Sequence, residues 1–271
     1  MTILLTAGHG KTGRRIAARL DALGVPTRIG SRSGTPPFDW TDPATWADAL
    51  AGVDAAYVAY VPDLAVPDAP KAIETFTAEA ARQGVHRLVL LSGRGEAEAE
   101  HCERIVQANA REWTIVRCSW FSQNFSEDYF LDDVLGGALR VPVTDVREPF
   151  VDADDIADVA VAALTDPRHA GQLYELTGPR ALTFAEAAEA ITAASGRTVR
   201  FEPVSLAEYE AGLRAAGYPD EVIGLVTFLF TEVLDGRNES VRDGVQRALG
   251  RPPKDFAAYA RDAAASGAWA E

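Results

Sequence analysis

The sequence predicts an α/β fold: a doubly wound parallel sheet with a smaller, mostly helical lobe at the carboxyl end. Short apolar runs typical of buried parallel strands occur at 2–6, 25–29, 55–61, 85–91, 113–117 and 172–176. Helical patterns separate the first five runs, near 12–23, 43–50, 69–83 and 97–111. Because strands and helices alternate, we expect right-handed crossovers that place helices on both faces of one sheet.

The 271 residues are expected to form a single domain with two parts. We assign its core to about 1–118 and 150–178, and its lobe to about 119–149 and 179–271. Within the lobe, Thr183 followed by Glu186 is a capping box that predicts a helix through Ala194. Residues 199–204 have the pattern of a further strand.

A glycine-rich segment lies between the first strand and the first helix. This order is the setting of a Rossmann-type dinucleotide-binding turn. Gly8 would permit the tight turn, Gly10 would let the backbone approach a pyrophosphate, and Gly13 would let helix and strand pack closely. Free N–H groups at the helix start would favour the phosphate charge. An ordinary glycine turn is the alternative. Three further residues of the segment are candidates to bind the same ligand: His9, Lys11 and Thr12.

The end of the second strand bears on the choice of dinucleotide. A site for NAD usually has an acidic residue here, which binds the ribose 2′-hydroxyl. Residues 28–33 contain none, and Ser31, Arg32 and Ser33 instead suit a 2′-phosphate, through a charge-assisted contact and hydroxyl donors. We therefore expect NADP(H) as the preferred cofactor, with NAD(H) as the second choice. A solvated loop arginine is the alternative for Arg32.

Other cofactor contacts are expected at later strand ends, because ligands of such sheets bind beyond the carboxyl ends of the strands. Asp39 follows the expected end of a third strand and could accept a hydrogen bond from the adenine amino group. Tyr60 and Pro62 end the fourth expected strand and should pass the cofactor ribose. Ser92 and Gly93 end the fifth, near the nicotinamide. Core packing is the alternative for each of them.

The composition argues against several other classes of protein. A net charge of −14 disfavours nucleic-acid binding, which needs clustered cations. No apolar run approaches the roughly 20 residues of a membrane helix, and Met1 leads directly into a strand, which leaves no room for a signal peptide. Cys102 and Cys118 suggest neither a disulfide framework nor a zinc site. We expect a cytoplasmic protein with a small-molecule substrate and no metal, and the oligomeric state stays open.

The sequence lacks the Tyr-x-x-x-Lys pair with which ordinary short-chain ketoreductases protonate a developing alkoxide. The residues four positions after the tyrosines are Val61, Leu64, Asp133, Gly178, Leu213, Val222 and Ala263. An iminium carbon is already cationic, and quinones and conjugated carbonyls delocalise the arriving charge, so these acceptors depend less on one acid. His101 is the candidate for donating or relaying a proton, and Ser92 for hydrogen bonding to substrate. A histidine on the helix surface or in the packing is the alternative.

Two segments resemble a known family. The glycine-rich turn resembles the NmrA-like, atypical branch of the short-chain dehydrogenase/reductase superfamily, which commonly has T-G-x-T-G-K-T-G there. Residues 10–13 keep this pattern, whereas Ala7 and His9 replace a glycine and a threonine. Residues 115–127 resemble the R-P-x-W-F-x-x-N-F-S-E stretch of festuclavine and agroclavine dehydrogenases of ergot alkaloid biosynthesis, with Cys118 in place of the proline.

The resemblance implies an enzymatic function and assigns three residues of the lobe to substrate binding. Trp120, Phe121 and Asn124 would line the nicotinamide and substrate side of the cleft, with core packing as the alternative for the two aromatic residues. We expect an NAD(P)H-dependent oxidoreductase, of the kind found in secondary metabolism, that transfers hydride to a small hydrophobic imine or iminium, quinone or conjugated carbonyl. The alternative is a non-catalytic, NmrA-like regulatory protein that senses NADP(H). The aromatic motif favours the enzyme, and the missing Tyr-x-x-x-Lys pair favours the sensor.

Overall fold

The computed structural model describes residues 1–270. Its strands, in chain order, are β1 (Ile3–Leu5), β2 (Thr27–Ile29), β3 (Ala55–Val58), β4 (Arg87–Gly93), β5 (Glu112–Cys118), β6 (Ala138–Leu139), β7 (Arg147–Glu148), β8 (Gln172–Leu176), β9 (Leu182–Thr183) and β10 (Arg200–Phe201). Its helices are α1 (Lys11–Ala22), α2 (Trp46–Leu50), α3 (Ala69–Arg82), α4 (Ala97–Asn109), α5 (Asn124–Glu127), α6 (Leu131–Gly136), α7 (Ala153–Thr165), α8 (Phe184–Ser195), α9 (Leu206–Ala215), α10 (Asp220–Phe228), α11 (Gly244–Leu249) and α12 (Phe256–Ala265). Shorter turns are 3₁₀-helical at Pro43–Thr45 and Pro167–His169 and π-helical at Leu229–Val233.

The chain divides into two compact units. Unit 1 comprises Met1–Cys118, Ala153–Leu176 and Asp243–Pro252. Unit 2 comprises Ser119–Asp152, Thr177–Arg242 and the described residues from Pro253 onward. The predicted lobe included 243–252, whereas these residues belong to the sheet-containing unit. The reason is the close approach of α11 to β8, where a β-carbon on Gly244 would lie only 2.1 Å from the carbonyl oxygen of Glu175.

Unit 1 is built on a six-stranded sheet with the order β2-β1-β3-β4-β5-β8. All neighbouring strands run parallel, and the predicted apolar runs supply every strand of this sheet. The strand order reverses between β1 and β3, because the chain adds β2 on one side of β1 and β3 on the other. Open α/β sheets bind their ligands outside the carboxyl ends of the strands at such a switch point.

Helices cover both faces of this sheet. On one face α2, α3 and α4 bury a continuous core, in which Phe76 and Val106 are fully buried together with Leu4 and Leu90 of the sheet. On the other face α1 packs against α7, and α7 packs against β3, β4 and β5. The predicted doubly wound α/β fold is confirmed. It buries apolar surface on both sides of the strands, as all-parallel sheets require.

The expected third strand, ending before Asp39, was wrong. In the structure Asp39 makes only an isolated bridge with Asp42, and no strand of the described sheet lies between β2 and β3. Phe38 is buried in an aromatic cluster instead, 6.3 Å from Trp46 and 5.9 Å from Phe76 between ring centroids. Two consecutive prolines, 36–37, offer no N–H for a ladder, so this apolar segment packs as a loop.

Unit 2 is mostly helical and has an aromatic core of its own. Its buried rings are Phe125, Phe130, Phe150, Phe184, Phe230, Phe256, Tyr259 and Trp269. The capping box of α8 is present as predicted, with Thr183 Oγ1 accepting from the Glu186 N–H and the Glu186 carboxylate accepting from the Thr183 N–H. Short strands pair as β6 with β10, in parallel, and as β7 with β9, antiparallel. β10 is shorter than the predicted run at 199–204.

The helices of the described chain, residues 1–270, are all too short or too polar to cross a bilayer.

Candidate functional site

Two glycines let the turn between β1 and α1 pack tightly. A β-carbon on Gly13 would lie 2.0 Å from the carbonyl oxygen of Ala7, so a side chain there would collide with the backbone of the turn. A β-carbon on Gly8 would lie 2.8 Å from side-chain carbons of Ile29 in β2. Gly8 has no positive φ, so it serves contact with β2 rather than an unusual backbone angle. Gly13 thus packs against the turn residues Ala7 and Gly8, and its contact with a dinucleotide stays a prediction.

Gly10 has more room for a side chain than Gly8 or Gly13. It is exposed, and the nearest atom to a β-carbon there would be the carbonyl oxygen of Ala7 at 3.3 Å, with no other neighbour within 4 Å. Gly10 is the N-cap of α1, where no side chain caps the helix, and the first turn contains no acidic residue. Such a helix N terminus attracts an anion through its N–H groups and dipole. The residues present therefore fit a pyrophosphate.

Thr12, one of the predicted contacts, points into the protein. Its Oγ1 accepts a hydrogen bond of 2.9 Å from the Tyr57 hydroxyl, and both side chains are buried. Burial raises the pKa of Tyr57, so the hydroxyl keeps the proton that it donates. Thr6, just after β1, is bonded to the end of β3, because its Oγ1 accepts a hydrogen bond of 2.9 Å from the Ala59 N–H. These bonds fix the turn against β3 and leave a ligand contact of Thr12 as a prediction.

A polar cleft of about 520 Å³ opens beside the turn and the end of β2. It is lined by Thr2, His9, Thr27, Arg28, Ile29, Ser31, Ser33, Gly34 and Thr35. The structure thus brings His9 together with Ser31 and Ser33, which were predicted from a separate segment. Hydroxyl and imidazole groups can hydrogen-bond to a phosphate, and no carboxylate lines the cleft.

Arg32 is exposed next to this cleft and is not part of its lining. It makes no hydrogen bond or ion pair with residues 1–270, so its guanidinium is available. Asp39 lies near it: hydrogen bonds from the backbone and hydroxyl of Thr41, with a smaller contribution from the charge of Arg32, lower the pKa of Asp39. Both Thr41 bonds reach Oδ1, at 2.9 and 2.8 Å, which leaves Oδ2 as an acceptor.

Tyr60 and Pro62 follow the carboxyl end of β3. The Tyr60 ring is half-buried and lies 5.0 Å from the ring of Trp40, measured between centroids. Pro62 and the preceding Val61 are exposed, and Val61 is an apolar side chain with 55% exposure. Their predicted cofactor contacts stay predictions.

Ser92 belongs to a buried polar network at the end of β4. Its Oγ donates to Glu103 Oε1 at 2.6 Å, and Arg117 Nε donates to the same oxygen at 2.8 Å. The hydroxyl proton of Ser92 is therefore engaged, although its oxygen can still accept. His101 lies on the exposed side of α4 and makes no hydrogen bond or ion pair with any of the described residues. The structure does not join His101 and Ser92 by a contact, and their catalytic roles stay predictions.

Sequence reasoning missed a pair of carboxyl groups, Asp63 and Glu96, beyond the ends of β3 and β4. The two side chains are in hydrogen-bonding contact. Burial raises the pKa of both, and the neighbouring Asp63 charge raises that of Glu96 further. Gly93 faces this pair, since a β-carbon there would lie 2.0 Å from Glu96 Oε1. No motif marks the two acids, and their one sequence signal is their position just beyond adjacent strands.

The three residues predicted to contact the substrate, Trp120, Phe121 and Asn124, lie in unit 2. The half-buried Trp120 ring stacks on Phe130, with 6.0 Å between centroids and 7° between planes, and lies 5.3 Å from Phe230. Phe121 forms a backbone bridge with Val151. Asn124 is 7% exposed, and its Oδ1 has no hydrogen-bond partner among residues 1–270. A buried amide oxygen without a donor is costly, which makes Asn124 a candidate for binding a ligand donor.

Several relatives match nearly the whole chain. An uncharacterized oxidoreductase of Bacillus subtilis is 33% identical over 95% of this chain and 93% of its own length. The NAD(P)H azoreductase of Xenophilus azovorans is 33% identical over 92% of this chain and 86% of its own. The agroclavine dehydrogenase of Claviceps fusiformis is 30% identical over 97% of both chains, which confirms the resemblance seen in the sequence.

Solved structures with this fold include two reductases. A triphenylmethane reductase of Citrobacter complexed with NADP(H) has a TM-score of 0.77 at 18% identity, covering 97% of this chain and all of the other. The NADPH-dependent quinone oxidoreductase of Escherichia coli complexed with NADPH has a TM-score of 0.80 at 19% identity, covering 97% and 99%. The model of the NmrA-like family matches residues 98–253, more than half of the sequence, and together with these full-length relatives it shows that the chain belongs to the NmrA-like family.

Proposed function

We propose that this chain is an NADPH-dependent reductase of the atypical short-chain dehydrogenase/reductase type. The observation that carries the proposal is the open N terminus of α1 beside Gly10, an anion site at the switch point of a parallel sheet. Relatives named as an azoreductase and a clavine dehydrogenase support the same class of activity.

NADPH is proposed as the preferred cofactor, with NADH as the second choice. The cleft beside β2 offers His9, Ser31 and Ser33 to a 2′-phosphate and contains no carboxylate that would repel it. The exposed guanidinium of Arg32 adjoins this cleft and adds a charge-assisted contact. A bound nicotinamide supplies the hydride. The protein residues orient the dinucleotide along the carboxyl edge of the sheet.

The proposed acceptor is a small hydrophobic imine or iminium, a quinone or a conjugated carbonyl. Absence of the Tyr-x-x-x-Lys pair disfavours simple ketones, which need an acid for the developing alkoxide. Trp120 and Phe121 would supply apolar contact to the acceptor, and the buried, unpartnered Oδ1 of Asn124 would accept a hydrogen bond from it. For proton transfer, His101 and Ser92 remain the candidates from the sequence.

We also propose a cytoplasmic location. Cys102 and Cys118 are free and buried thiols. Thiols that stay reduced are the rule in the cytoplasm, whereas small secreted domains depend on disulfides.

The test is single-turnover oxidation of NADPH in the presence of an iminium salt, a benzoquinone, an azo dye and a conjugated aldehyde. We expect NADPH to bind, measured by calorimetry, and to be oxidised with at least one acceptor. Gly10→Val serves as the control that neither binds nor oxidises NADPH. A folded wild type that binds NADPH and reduces none of the acceptors would contradict the enzyme and support the regulatory sensor.

A further inference from the structure

The carboxyl group of Glu96 fills a space that Gly93 leaves at the end of β4. A β-carbon on Gly93 would lie 2.0 Å from Oε1 and 2.3 Å from Oε2 of Glu96. Glu96 is 7% exposed, and Oε2 has no hydrogen-bond donor among residues 1–270. A buried carboxylate oxygen without a donor costs free energy, so this oxygen needs either a proton or a ligand that donates to it.

Asp63 provides a partner for that proton. Its carboxyl group contacts that of Glu96 and also accepts from the Ala65 N–H, at 2.8 Å. Two carboxyl groups in contact do not both ionise readily, so the pair retains one proton. When Glu96 carries this proton and donates it in a hydrogen bond to Asp63, the remaining charge rests on Asp63.

The surrounding groups favour this arrangement. Lys11, the first residue of α1, lowers the pKa of Asp63 through its positive charge, although burial has the larger, opposite effect. On the other side, Glu103 of α4 adds to the effects of burial and Asp63 in raising the pKa of Glu96. Cys118 of β5 also faces Glu96, and burial raises the pKa of this thiol, so it is neutral. The proton therefore belongs on Glu96 and the charge on Asp63, beside the lysine.

We propose that Glu96 is the proton donor for acceptors that become anionic on reduction, with Asp63 as the positioning residue that holds the donated proton. The inference rests on the proposed reductase function, and names the residue that replaces the missing tyrosine. Glu96 lies beyond the carboxyl end of β4, where a ligand of this sheet is expected, and its orphaned oxygen is the group that such a ligand would meet.

With a quinone as acceptor, hydride transfer is followed by proton transfer from Glu96. The quinone gains two electrons and one hydrogen as hydride from the reduced dinucleotide. The O–H bond of Glu96 breaks, and its proton forms a new O–H bond on the quinone oxygen that carries the negative charge. Glu96 is left as a carboxylate and regains a proton from water. An iminium acceptor becomes a neutral amine on hydride addition and needs no such proton, which makes it the internal control.

Infrared spectroscopy of the protein without dinucleotide tests the shared proton directly. We expect a carboxylic-acid C=O band at neutral pH that is missing in Glu96→Gln and retained in Glu98→Gln, a matched change in the first turn of α4. A wild type without this band, or a Glu96→Gln protein that keeps it, would overturn the inference. This outcome is independent of any reductase activity, so it separates the inference from the proposed function.

Single-turnover rates at saturating NADPH test the donor role. Glu96→Gln should lower the ratio of the quinone rate to the iminium rate by about 10²-fold, as expected when a general acid is lost. Glu98→Gln should leave this ratio unchanged. In Asp63→Asn the charge that raises the Glu96 pKa is absent, so the quinone rate should begin to fall at a lower pH than in wild type. An equal loss with both acceptors in Glu96→Gln, or no loss, would refute proton donation.

Discussion

Arg251 Nη1 lies 2.6 Å from Oδ1 of Asp155, a carboxylate whose side chain is only 2% exposed. Nη2 of the same guanidinium donates to Asp158, and Arg19 of α1 reaches Asp158 from the other side at 2.6 Å. The acidic start of α7 is therefore neutralised by arginines of α1 and of the segment after α11. These ion pairs join α7 to α1 and to the segment after α11 within unit 1.

Removing this arginine should destabilise the protein. In Arg251→Met the buried Asp155 carboxylate loses one charged partner, and we expect the free energy of unfolding to fall by about 2–3 kcal/mol. This is below the full cost of breaking a buried pair, because the Arg251 side chain is 42% exposed. Urea unfolding measures the change. Arg168→Met is the control, since its pair with Asp166 is exposed, and its midpoint should match that of wild type.

Gly10→Val should abolish NADPH binding without unfolding the chain. The backbone at Gly10 has φ −71° and ψ 175°, an extended conformation that valine adopts readily. Its side chain would project beside the uncapped N terminus of α1, where the pyrophosphate is proposed to bind. Calorimetry measures the affinity, and circular dichroism the melting temperature. Gly224→Val, at a position where a β-carbon meets nothing within 4 Å, should bind NADPH normally. Near-normal affinity in folded Gly10→Val would contradict the cofactor site.

Arg32→Ala should separate NADPH from NADH. Loss of one charge-assisted contact to the 2′-phosphate, worth about 1.5–3 kcal/mol, should weaken NADPH binding about tenfold or more. NADH has no such phosphate, so its dissociation constant should change little. Arg111→Ala removes the same charge from an exposed arginine just before the amino end of β5, and should change neither constant. Equal weakening of both dinucleotides by Arg32→Ala would disprove the 2′-phosphate assignment.

The strands could be predicted because burial on both faces makes them continuous apolar runs, as at β4 and β5. The failed strand before Asp39 contains one buried apolar residue, Phe38, whereas Thr35 and Pro37 are exposed. The ring of Phe38 packs against Trp46 and Phe76, and it does not belong to a strand. Burial can be read from side chains, whereas hydrogen bonding to a strand depends on tertiary contacts that a local pattern does not contain.

The candidate site also has one part that the local sequence predicts and one part that depends on tertiary contacts. The turn at Gly10 and Gly13 could be predicted because its function depends on local backbone geometry. The contact of Asp63 with Glu96 joins loops after different strands, and its chemistry arises from burial and mutual repulsion. Neither acid has a distinctive local pattern. A shared proton of this kind becomes visible only when the fold brings the two side chains together.

His101→Ala distinguishes the two candidate routes for the proton. His101 is exposed on α4 and forms no hydrogen bond or ion pair within residues 1–270, so nothing there holds it in a donating position. We expect the variant to slow hydride transfer less than about tenfold with both an iminium salt and a quinone, because a lost general acid costs roughly 10²–10⁴-fold. Single-turnover NADPH oxidation between pH 5.5 and 8.5 measures both rates, with His86→Ala as the control. A loss of about 10²-fold with the quinone alone would assign the proton to His101 and remove that role from Glu96.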